Sequence, residues 1–261
     1  MTLGESLPAD AGFRTEYTVY GYEVSPRGHL RPSALSRFAQ QVAADELTLL
    51  AGHGVRTEGL SWVVRRNVLH GWRRIGRVGS LQFVRRITAV GSCWLESCTE
   101  VLSAGRPTGA AVRAFWVQLD AASGRPAPLD PMFERLCLAA GRDTDLIWRS
   151  ELRGLPAAGF RCELVPVRPA DFDALGHVNN AVVLDLVEHL APDADGLVLE
   201  YDASINWGTP AVAVHSRPAP GGVTFRLTSV DGTTRFAAGV LRDAAPATAA
   251  GTGPLPEEAA G

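Results

Sequence analysis

The chain has 261 residues, of which 46% are apolar and 20% are charged. This length suits one large globular domain or two smaller ones, and it excludes a peptide hormone or a small disulfide scaffold. The net charge of −3 excludes a strongly basic nucleic-acid binder. All 25 basic residues are arginine, which excludes every mechanism that needs a lysine.

Cysteine and histidine usage indicates a reduced setting without a metal. The 4 cysteines form no CxxC pair, so we expect a cytoplasmic protein. The 6 histidines form no HExxH motif and no zinc-type cluster, so neither a metal nor a cofactor is expected. Residues 1–12 lack the features of a signal peptide and are expected to be flexible. No apolar run is long enough to span a membrane.

The first part of the chain predicts one long helix followed by antiparallel strands. A strand over 13–24 leads through a Ser-Pro-Arg-Gly turn to Ser33, a predicted helix N-cap. Apolar residues at helical spacing from Leu35 to Leu50 predict a helix of about five turns. Alternating apolar and polar residues predict strands over 60–69, 80–90, 92–102 and 109–119. A hairpin turn is predicted at 106–109, and the whole pattern is typical of α+β domains.

The same order of elements recurs after a connector over 121–159, in which a short helix is predicted at 131–140. A strand over 160–168 and a helix over about 180–190 come first. Further strands are predicted over 197–205, 211–216, 223–230 and 235–241. With an offset of 148, Gly28-His29 falls on Gly176-His177 and Glu23 falls on Asp171, which indicates an internal duplication. Residues 243–261 are rich in Ala, Pro and Gly and are predicted to be disordered.

The densest polar cluster is Asp-Phe-Asp-Ala-Leu-Gly-His-Val-Asn-Asn at 171–180, between a predicted strand and a predicted helix. Gly176 permits a close backbone approach, and free N–H groups from His177 to Asn179 can stabilise an oxyanion. Asp173 can act as a nucleophile or as the base for a water molecule, and His177 can face the same pocket. The alternative is a helix cap with a packed histidine.

This cluster, followed by a helix with Glu188, resembles the signature of the hotdog-fold thioesterases. Over about 13–242 the chain resembles the acyl-acyl-carrier-protein thioesterase family, through Gly59-Leu-Ser-Trp62, Phe115–Asp120 and Leu199-Glu200-Tyr201. The resemblance implies an α+β fold of two tandem hotdog domains, each a long helix wrapped by an antiparallel β-sheet. The N-terminal hotdog would span 13–120, and the C-terminal hotdog, with the active site, would span 160–242.

The resemblance also implies an activity and its residues. The protein would hydrolyse fatty-acyl or polyketide-like thioesters on acyl carrier protein, in fatty acid biosynthesis, as a monomer or homodimer. The catalytic residues would be Asp173, His177 and Asn179, of which Asn179 is expected to brace the turn. The substrate-binding residues would be Leu175, Gly176 and Val178. Ser25 takes the place of Asp173 in the first half, which should therefore be catalytically silent.

Two positions depart from the family pattern. The asparagine and the acidic residue that the carrier-protein enzymes have at these positions are replaced by Leu175 and Ser204. The departures keep two alternatives open, an acyl-CoA thioesterase and a non-catalytic acyl-binding protein of the same fold.

Seven arginines and no acidic residue lie between Gly59 and Leu95, which leaves the rest of the chain with 18 basic and 28 acidic residues. One interpretation is a docking surface for acidic carrier protein or for coenzyme A phosphates. Its candidate residues are Arg65, Arg66, Arg73, Arg74 and Arg77. A solvated sheet edge that resists aggregation is the alternative.

Overall fold

A computed structural model describes residues 12–76, 79–139, 150, 152 and 159–243. Within these residues the helices are α1 (Pro32–Gly52), α2 (Pro131–Ala139) and α3 (Val182–Asp185). The strands β1 to β10 span Phe13–Thr18, Leu60–His70, Ser80–Val90, Trp94–Ser103, Arg106–Asp120, Arg161–Pro166, Ala194–Tyr201, Ala211–Ala219, Gly222–Thr228 and Arg235–Asp243. The predicted N-terminal flexibility and the predicted disorder of the tail fall on residues outside the described ranges, apart from Gly12 and Asp243.

The ten strands form a single sheet in the order β1-β3-β4-β5-β2-β7-β10-β9-β8-β6, and every neighbouring pair is antiparallel. Counted inward from each outer edge, the two halves have the same order of strands. They join where β2 pairs with β7, with Arg66 opposite Glu200 and His70 opposite Gly196. The repeat that the Gly-His pairs indicated is therefore present in the topology.

Helix α1 packs on the first five strands because one of its faces is apolar. Leu35, Phe38 and Val42 are buried on that face, and Phe38 stacks against Tyr17 of β1 with 5.7 Å between ring centroids. The helix begins two residues earlier than predicted, with Pro32 as its first residue and Arg31 rather than Ser33 as N-cap. Proline suits this place because it has no N–H to satisfy and its φ is already helical.

The main hydrophobic cluster contains side chains from both halves. It joins Phe38 and Phe83 of the first half to Leu184, Phe225 and Leu227 of the second. Since one cluster crosses the β2–β7 junction, each half buries apolar surface of the other.

The long helix predicted for the second half is much shorter in the structure. The helix α3 has 4 residues, and a separate 3-10 turn follows over Glu188–Leu190. Three of the residues from Val182 to Val187 are valine, whose β-branched side chain lowers helix propensity. Pro192 disfavours the helical conformation of the residue before it, so the segment cannot continue.

Two boundaries in the first half also differ from the predictions. The first strand ends at Thr18, because the chain enters a 3-10 turn over Gly21–Glu23. The hairpin turn between β4 and β5 lies at Ala104 and Gly105 rather than at 106–109, and Ser103 pairs with Arg106. Both turn residues have positive φ, 48° and 75°, which gives the type I′ geometry that matches the twist of the strands.

Candidate active site

The polar cluster at 171–180 forms a closed turn between β6 and α3. Phe172 and Val178 form an antiparallel bridge, inside which the Asp173 N–H donates to the His177 carbonyl at 2.7 Å. The Gly176 N–H donates to the Asp173 carbonyl at 3.0 Å. Gly176 has a φ of 73°, a conformation that disfavours any residue with a Cβ atom, so glycine is required for this turn.

The turn holds the Asp173 carboxylate through one oxygen. Its Oδ1 accepts hydrogen bonds from the N–H groups of Leu175, at 2.9 Å, and His177, at 3.2 Å. Its Oδ2 accepts no hydrogen bond from any described residue, and Asp173 lines the cavity described below. The carboxylate is thus fixed in orientation and still has one oxygen for a ligand.

His177 and Asn179 have different places in this turn. His177 lines the cavity. Asn179 also borders it, but its Oδ1 accepts the Ala181 N–H at 2.8 Å and its carbonyl accepts the Val182 N–H at 2.8 Å. Asn179 therefore braces the turn just before α3, whose N-cap is Ala181.

The free N–H groups predicted from His177 to Asn179 are already used inside the protein. Besides the bond from His177 to Asp173, the Val178 N–H donates to Ile205 O at 2.9 Å and the Asn179 N–H to Asp171 O at 3.1 Å. The sequence prediction was wrong here because the segment bridges to neighbouring backbone before the helix starts. From His177 onward, Asn180 is the first residue whose N–H has no acceptor among the described residues.

Tyr201 holds Asn180 through its carbonyl group. Its hydroxyl donates to the Asn180 carbonyl at 2.9 Å and accepts from Asn67 Nδ2 at 3.3 Å. Burial raises the pKa of Tyr201 above its ordinary value, so the hydroxyl remains a neutral donor at any physiological pH. In the sequence, Tyr201 stood out only as part of the family resemblance. Its role as a hydrogen-bond donor was not predictable, because its partners are 21 and 134 residues away.

A cavity of about 880 Å³ opens beside this turn and lies between the two halves. It is within the roughly 300–1,000 Å³ range of small-molecule sites. The second half contributes Asp173, His177 and Tyr201. The first half contributes one face of α1, part of β2 and the apolar side chains Leu50, Leu95 and Trp116, and the connector contributes Phe133. Both halves are therefore needed to form the site.

The predicted substrate-binding residues have three different places. Val178 is buried and lines the cavity. Leu175 also lines it and is 77% exposed, as is expected of a side chain at the rim. Gly176 shapes the turn, and its carbonyl accepts the Trp207 N–H at 2.7 Å. Ser204 also borders the cavity, so both departures from the family pattern face it.

The cavity wall contains a buried ion pair that sequence reasoning missed. Glu46 of α1 contacts Arg85 of β3, and both line the cavity. The signal was present in the sequence. Glu46 interrupts the apolar stripe of the helix between Val42 and Leu50, and Arg85 occupies an inward-facing position of its strand.

The first half contains the same turn without the carboxylate. The Ser25 N–H donates to the His29 carbonyl at 2.7 Å, and the Gly28 N–H donates to the Ser25 carbonyl at 2.9 Å. Glu23 accepts a backbone N–H at 2.7 Å, as Asp171 does in the second half. Ser25 lines a separate cavity of about 250 Å³. The predicted alignment of the two turns is confirmed residue by residue.

Two of the arginines predicted to dock a carrier protein are paired with acids of the second half. Arg73 donates to the backbone carbonyl of Asp193 and lies 3.4 Å from its carboxylate. Arg74 lies 4.0 Å from the carboxylate of Asp195. The basic segment is therefore partly neutralised in space by acids that are distant in sequence. Arg77 lies outside the described residues.

Arg65 is the member of this group that borders the cavity. It is half-buried, and its Nη1 donates to the Asp202 carbonyl at 3.0 Å. Arg66, next to it on β2, lies opposite Glu200 at the junction of the two halves. Of the predicted docking residues that the structure describes, Arg65 is the best placed to contact a ligand at the cavity.

The described residues include no group of three or more His, Cys, Asp or Glu side chains positioned to hold a metal ion. No helix among them is both long and apolar enough to cross a membrane.

Comparisons with known proteins identify the fold. No family model and no curated protein sequence matches the chain. A structure assigned as an oleoyl thioesterase of Lactobacillus plantarum matches with a TM-score of 0.74 and 19% identity, over 92% of this chain and 99% of the other. An acyl-ACP thioesterase of Bacteroides thetaiotaomicron matches with a TM-score of 0.71 and 14% identity, over 88% and 96%.

Two further structures set the limits of this likeness. The 12:0-ACP thioesterase of Umbellularia californica has a TM-score of 0.69 and 16% identity, over 88% of this chain and 96% of the other. A MaoC-like dehydratase of Phytophthora capsici has a TM-score of 0.52 and 9% identity, over 72% and 70%. Since a dehydratase shares the architecture, fold alone does not select the reaction. The chain has the predicted fold of two tandem hotdog domains, the second with a shortened helix.

Proposed function

We propose that this protein hydrolyses acyl thioesters to the free acid and the thiol. The observation that carries the proposal is the Asp173 carboxylate, which two N–H groups hold through one oxygen beside a cavity large enough for an acyl chain. Its second oxygen accepts no hydrogen bond from the part of the chain that the structure describes. Named acyl-ACP thioesterases share the whole two-domain fold, which supports the same reaction class.

The reaction assigns one task to each group. Asp173 takes a proton from a water molecule, whose oxygen adds to the thioester carbonyl carbon. The Asn180 N–H donates to the oxygen that becomes negative. The C–S bond then breaks, and the proton passes to the leaving thiolate, with His177 beside it. Water thus contributes its oxygen to the acid and one proton to the thiol.

The proposed physiological substrate is an acyl group on acyl carrier protein, with acyl-CoA as the alternative. Carrier and coenzyme present the same phosphopantetheine thioester, so the site described above serves both. Arg65 at the cavity supports recognition of a negatively charged carrier. A release assay with matched acyl-carrier and acyl-CoA substrates separates the two.

Acyl binding without hydrolysis is the second candidate. It is favoured by Leu175 and Ser204, which border the cavity where the resembling family has polar side chains. Tight binding of an acyl thioester with no thiol release would establish it.

Asp173→Asn and Asp173→Ala test the hydrolase directly. We expect thiol release to fall by at least about 100-fold in both variants, because loss of a positioned base typically costs this much. Ser25→Ala is the matched control, since it changes the same position of the turn in the first half. Full turnover in the Asp173 variants, with folding verified by thermal unfolding, would overturn the proposal.

A further inference from the structure

The ion pair of Glu46 and Arg85 is buried in the wall of the 880 Å³ cavity, which is called the acyl cavity below. The side chains are only 8% and 5% exposed. Glu46 lies one helical turn after Val42 and one turn before Leu50, on the core-facing stripe of α1. Arg85 lies between Phe83 and Ile87 at inward-facing positions of β3. Both residues line the cavity that also contains Asp173 and His177.

Stability alone does not account for this pair. Removing two charges from water costs several kcal/mol per ion, and replacing a buried pair with apolar side chains is often neutral or stabilising. Burial lowers the pKa of Arg85 to about 10, so the guanidinium is still charged at neutral pH. The cavity wall therefore presents one positive and one negative group. A plain alkyl chain would be accommodated better by an apolar wall.

Among the residues that the structure describes, one side chain, that of Glu46, contacts the guanidinium of Arg85. An arginine has five N–H donors. Among the described residues, Glu46 is its only acidic or hydrogen-bonding partner, and the Cys137 thiol lies near enough to influence its charge. Polar groups buried in proteins are usually all hydrogen-bonded. Arg85 lines the cavity, so the donors that Glu46 does not use are available to an acceptor that a ligand brings there.

The charge of the pair selects the kind of acceptor. Because the charges of Glu46 and Arg85 cancel, a carboxylate at the end of an acyl chain would meet no net attraction. A hydroxyl group can accept from Arg85 and donate to Glu46, and a keto group can accept from Arg85. Gln40 and Ser61 add further polar groups to the lining of the cavity.

We propose that the acyl group taken by this cavity carries a neutral oxygen, a hydroxyl or keto group, at the carbon that lies against Glu46 and Arg85. This inference rests on the proposed thioester hydrolysis and narrows its substrate class to oxygenated acyl chains. A plain alkyl chain would cover the pair and leave its donors without an acceptor. Sites built to hydrogen-bond a substrate reject analogues that lack the group by large factors.

The test compares pantetheine thioesters of one saturated chain with matching chains that carry a single hydroxyl or keto group, moved one carbon at a time. The measured quantity is kcat/KM for thiol release. We expect at least one oxygenated chain to exceed the plain chain by about tenfold or more. The double variant Glu46→Leu with Arg85→Met should bring this ratio close to one, because it makes the wall apolar at similar volume.

The control is Glu96→Leu with Arg113→Met, which removes a more exposed ion pair of the neighbouring strands β4 and β5 and should leave the ratio unchanged. If the Glu46/Arg85 double variant does not fold, Glu46→Gln alone replaces it. That variant leaves the Arg85 charge uncompensated, so it should shift preference toward chains that end in a carboxylate.

The outcomes separate this inference from the proposed function. If no thioester is hydrolysed, the proposed function falls and the inference falls with it. If plain and oxygenated chains are hydrolysed equally well, the function stands and the inference is overturned. Two further results would overturn the assignment to this pair. One is a preference for oxygenated chains that persists unchanged in the double variant, and the other is a set of chain preferences that Glu46→Gln does not alter.

Discussion

Asp173 and Ser25 occupy the same position of the same turn in the two halves, yet they give the halves different chemistry. The corresponding backbone hydrogen bonds of the two turns agree in length within about 0.1 Å. The bond donated by Ser25 or Asp173 is 2.7 Å long in both turns, and the bond donated by the turn glycine is 2.9 Å in the first half and 3.0 Å in the second. A serine hydroxyl is not ionised at neutral pH, whereas a carboxylate accepts a proton from water in one step. One side chain therefore decides which half carries the proposed reaction.

Tyr201→Phe should lower kcat by about tenfold and leave KM nearly unchanged, because one hydrogen bond to the Asn180 carbonyl is lost. The tyrosine acts through Asn180 and is therefore a positioning residue. The measurement is steady-state thiol release, with kcat and KM determined separately.

Tyr17→Phe is the control for this experiment. It removes the hydroxyl that contacts Asp45 on α1, and Tyr17 does not border the acyl cavity. The free energy of unfolding of Tyr17→Phe should fall by about as much as that of Tyr201→Phe, while the kcat of Tyr17→Phe is retained. A Tyr201→Phe enzyme with normal kcat would show that Asn180 needs no such support.

At the scale of elements, the turn depends on a backbone conformation as much as on side chains. Gly176→Ala forces a Cβ into the left-handed region, which costs about 1–2 kcal/mol. Because relief of this strain moves the turn that holds Asp173, we expect turnover to fall by about tenfold or more.

Gly28→Ala is the matched variant, since Gly28 has a φ of 83° in the same turn of the first half. An added Cβ meets nothing within 4 Å there, so the substitution reports backbone strain alone. Both variants should lose similar free energy of unfolding, and only Gly176→Ala should lose activity. Equal loss of activity in both would show that the effect acts through global stability. Chemical denaturation and thiol release measure the two quantities.

Elements with a strong periodic pattern were predictable from the sequence, and elements set by tertiary contacts were not. The apolar stripe of α1 and the alternation of apolar and polar residues in β3 predicted the ends of both elements to within a residue or two. The length of α3 was overestimated, because the apolar residues of this segment fit a helical pattern. Its valines and the proline that follows disfavour a long helix.

The site shows the same division. The string at 171–180 made Asp173 predictable, since its residue types and spacing are local. The Tyr201–Asn180 bond and the Glu46–Arg85 pair join residues that are 21 and 39 positions apart, so no local pattern connects them. The unused N–H at Asn180 depended on backbone bridges that only the folded chain shows.

At the scale of the whole molecule, the two halves share one sheet and one cavity, and they also balance each other's charge. Arginines of the first half pair with acids of the second, as Arg73 does with Asp193 at 3.4 Å and Arg74 with Asp195 at 4.0 Å. The surplus of positive charge along residues 59–95 is therefore reduced in the folded molecule. A carrier protein would meet the arginines that remain available near the cavity.

Arg65→Gln should weaken recognition of an acyl carrier protein more than recognition of a small pantetheine thioester. Arg65 is half-buried and borders the cavity. Loss of one charge at an interface rim lowers association by about three- to tenfold. We expect kcat/KM for the carrier-bound substrate to fall by this factor. Added salt should shrink the difference, because it screens exposed charges.

Arg113→Gln is the control for charge removal, since Arg113 lies on β5 outside the cavity and pairs with Glu96 at 3.5 Å. It should leave both substrates unaffected. An equal fall for carrier-bound and small substrates in Arg65→Gln would place Arg65 against the phosphopantetheine that both share. A fall that salt does not change would argue against electrostatic docking at this surface.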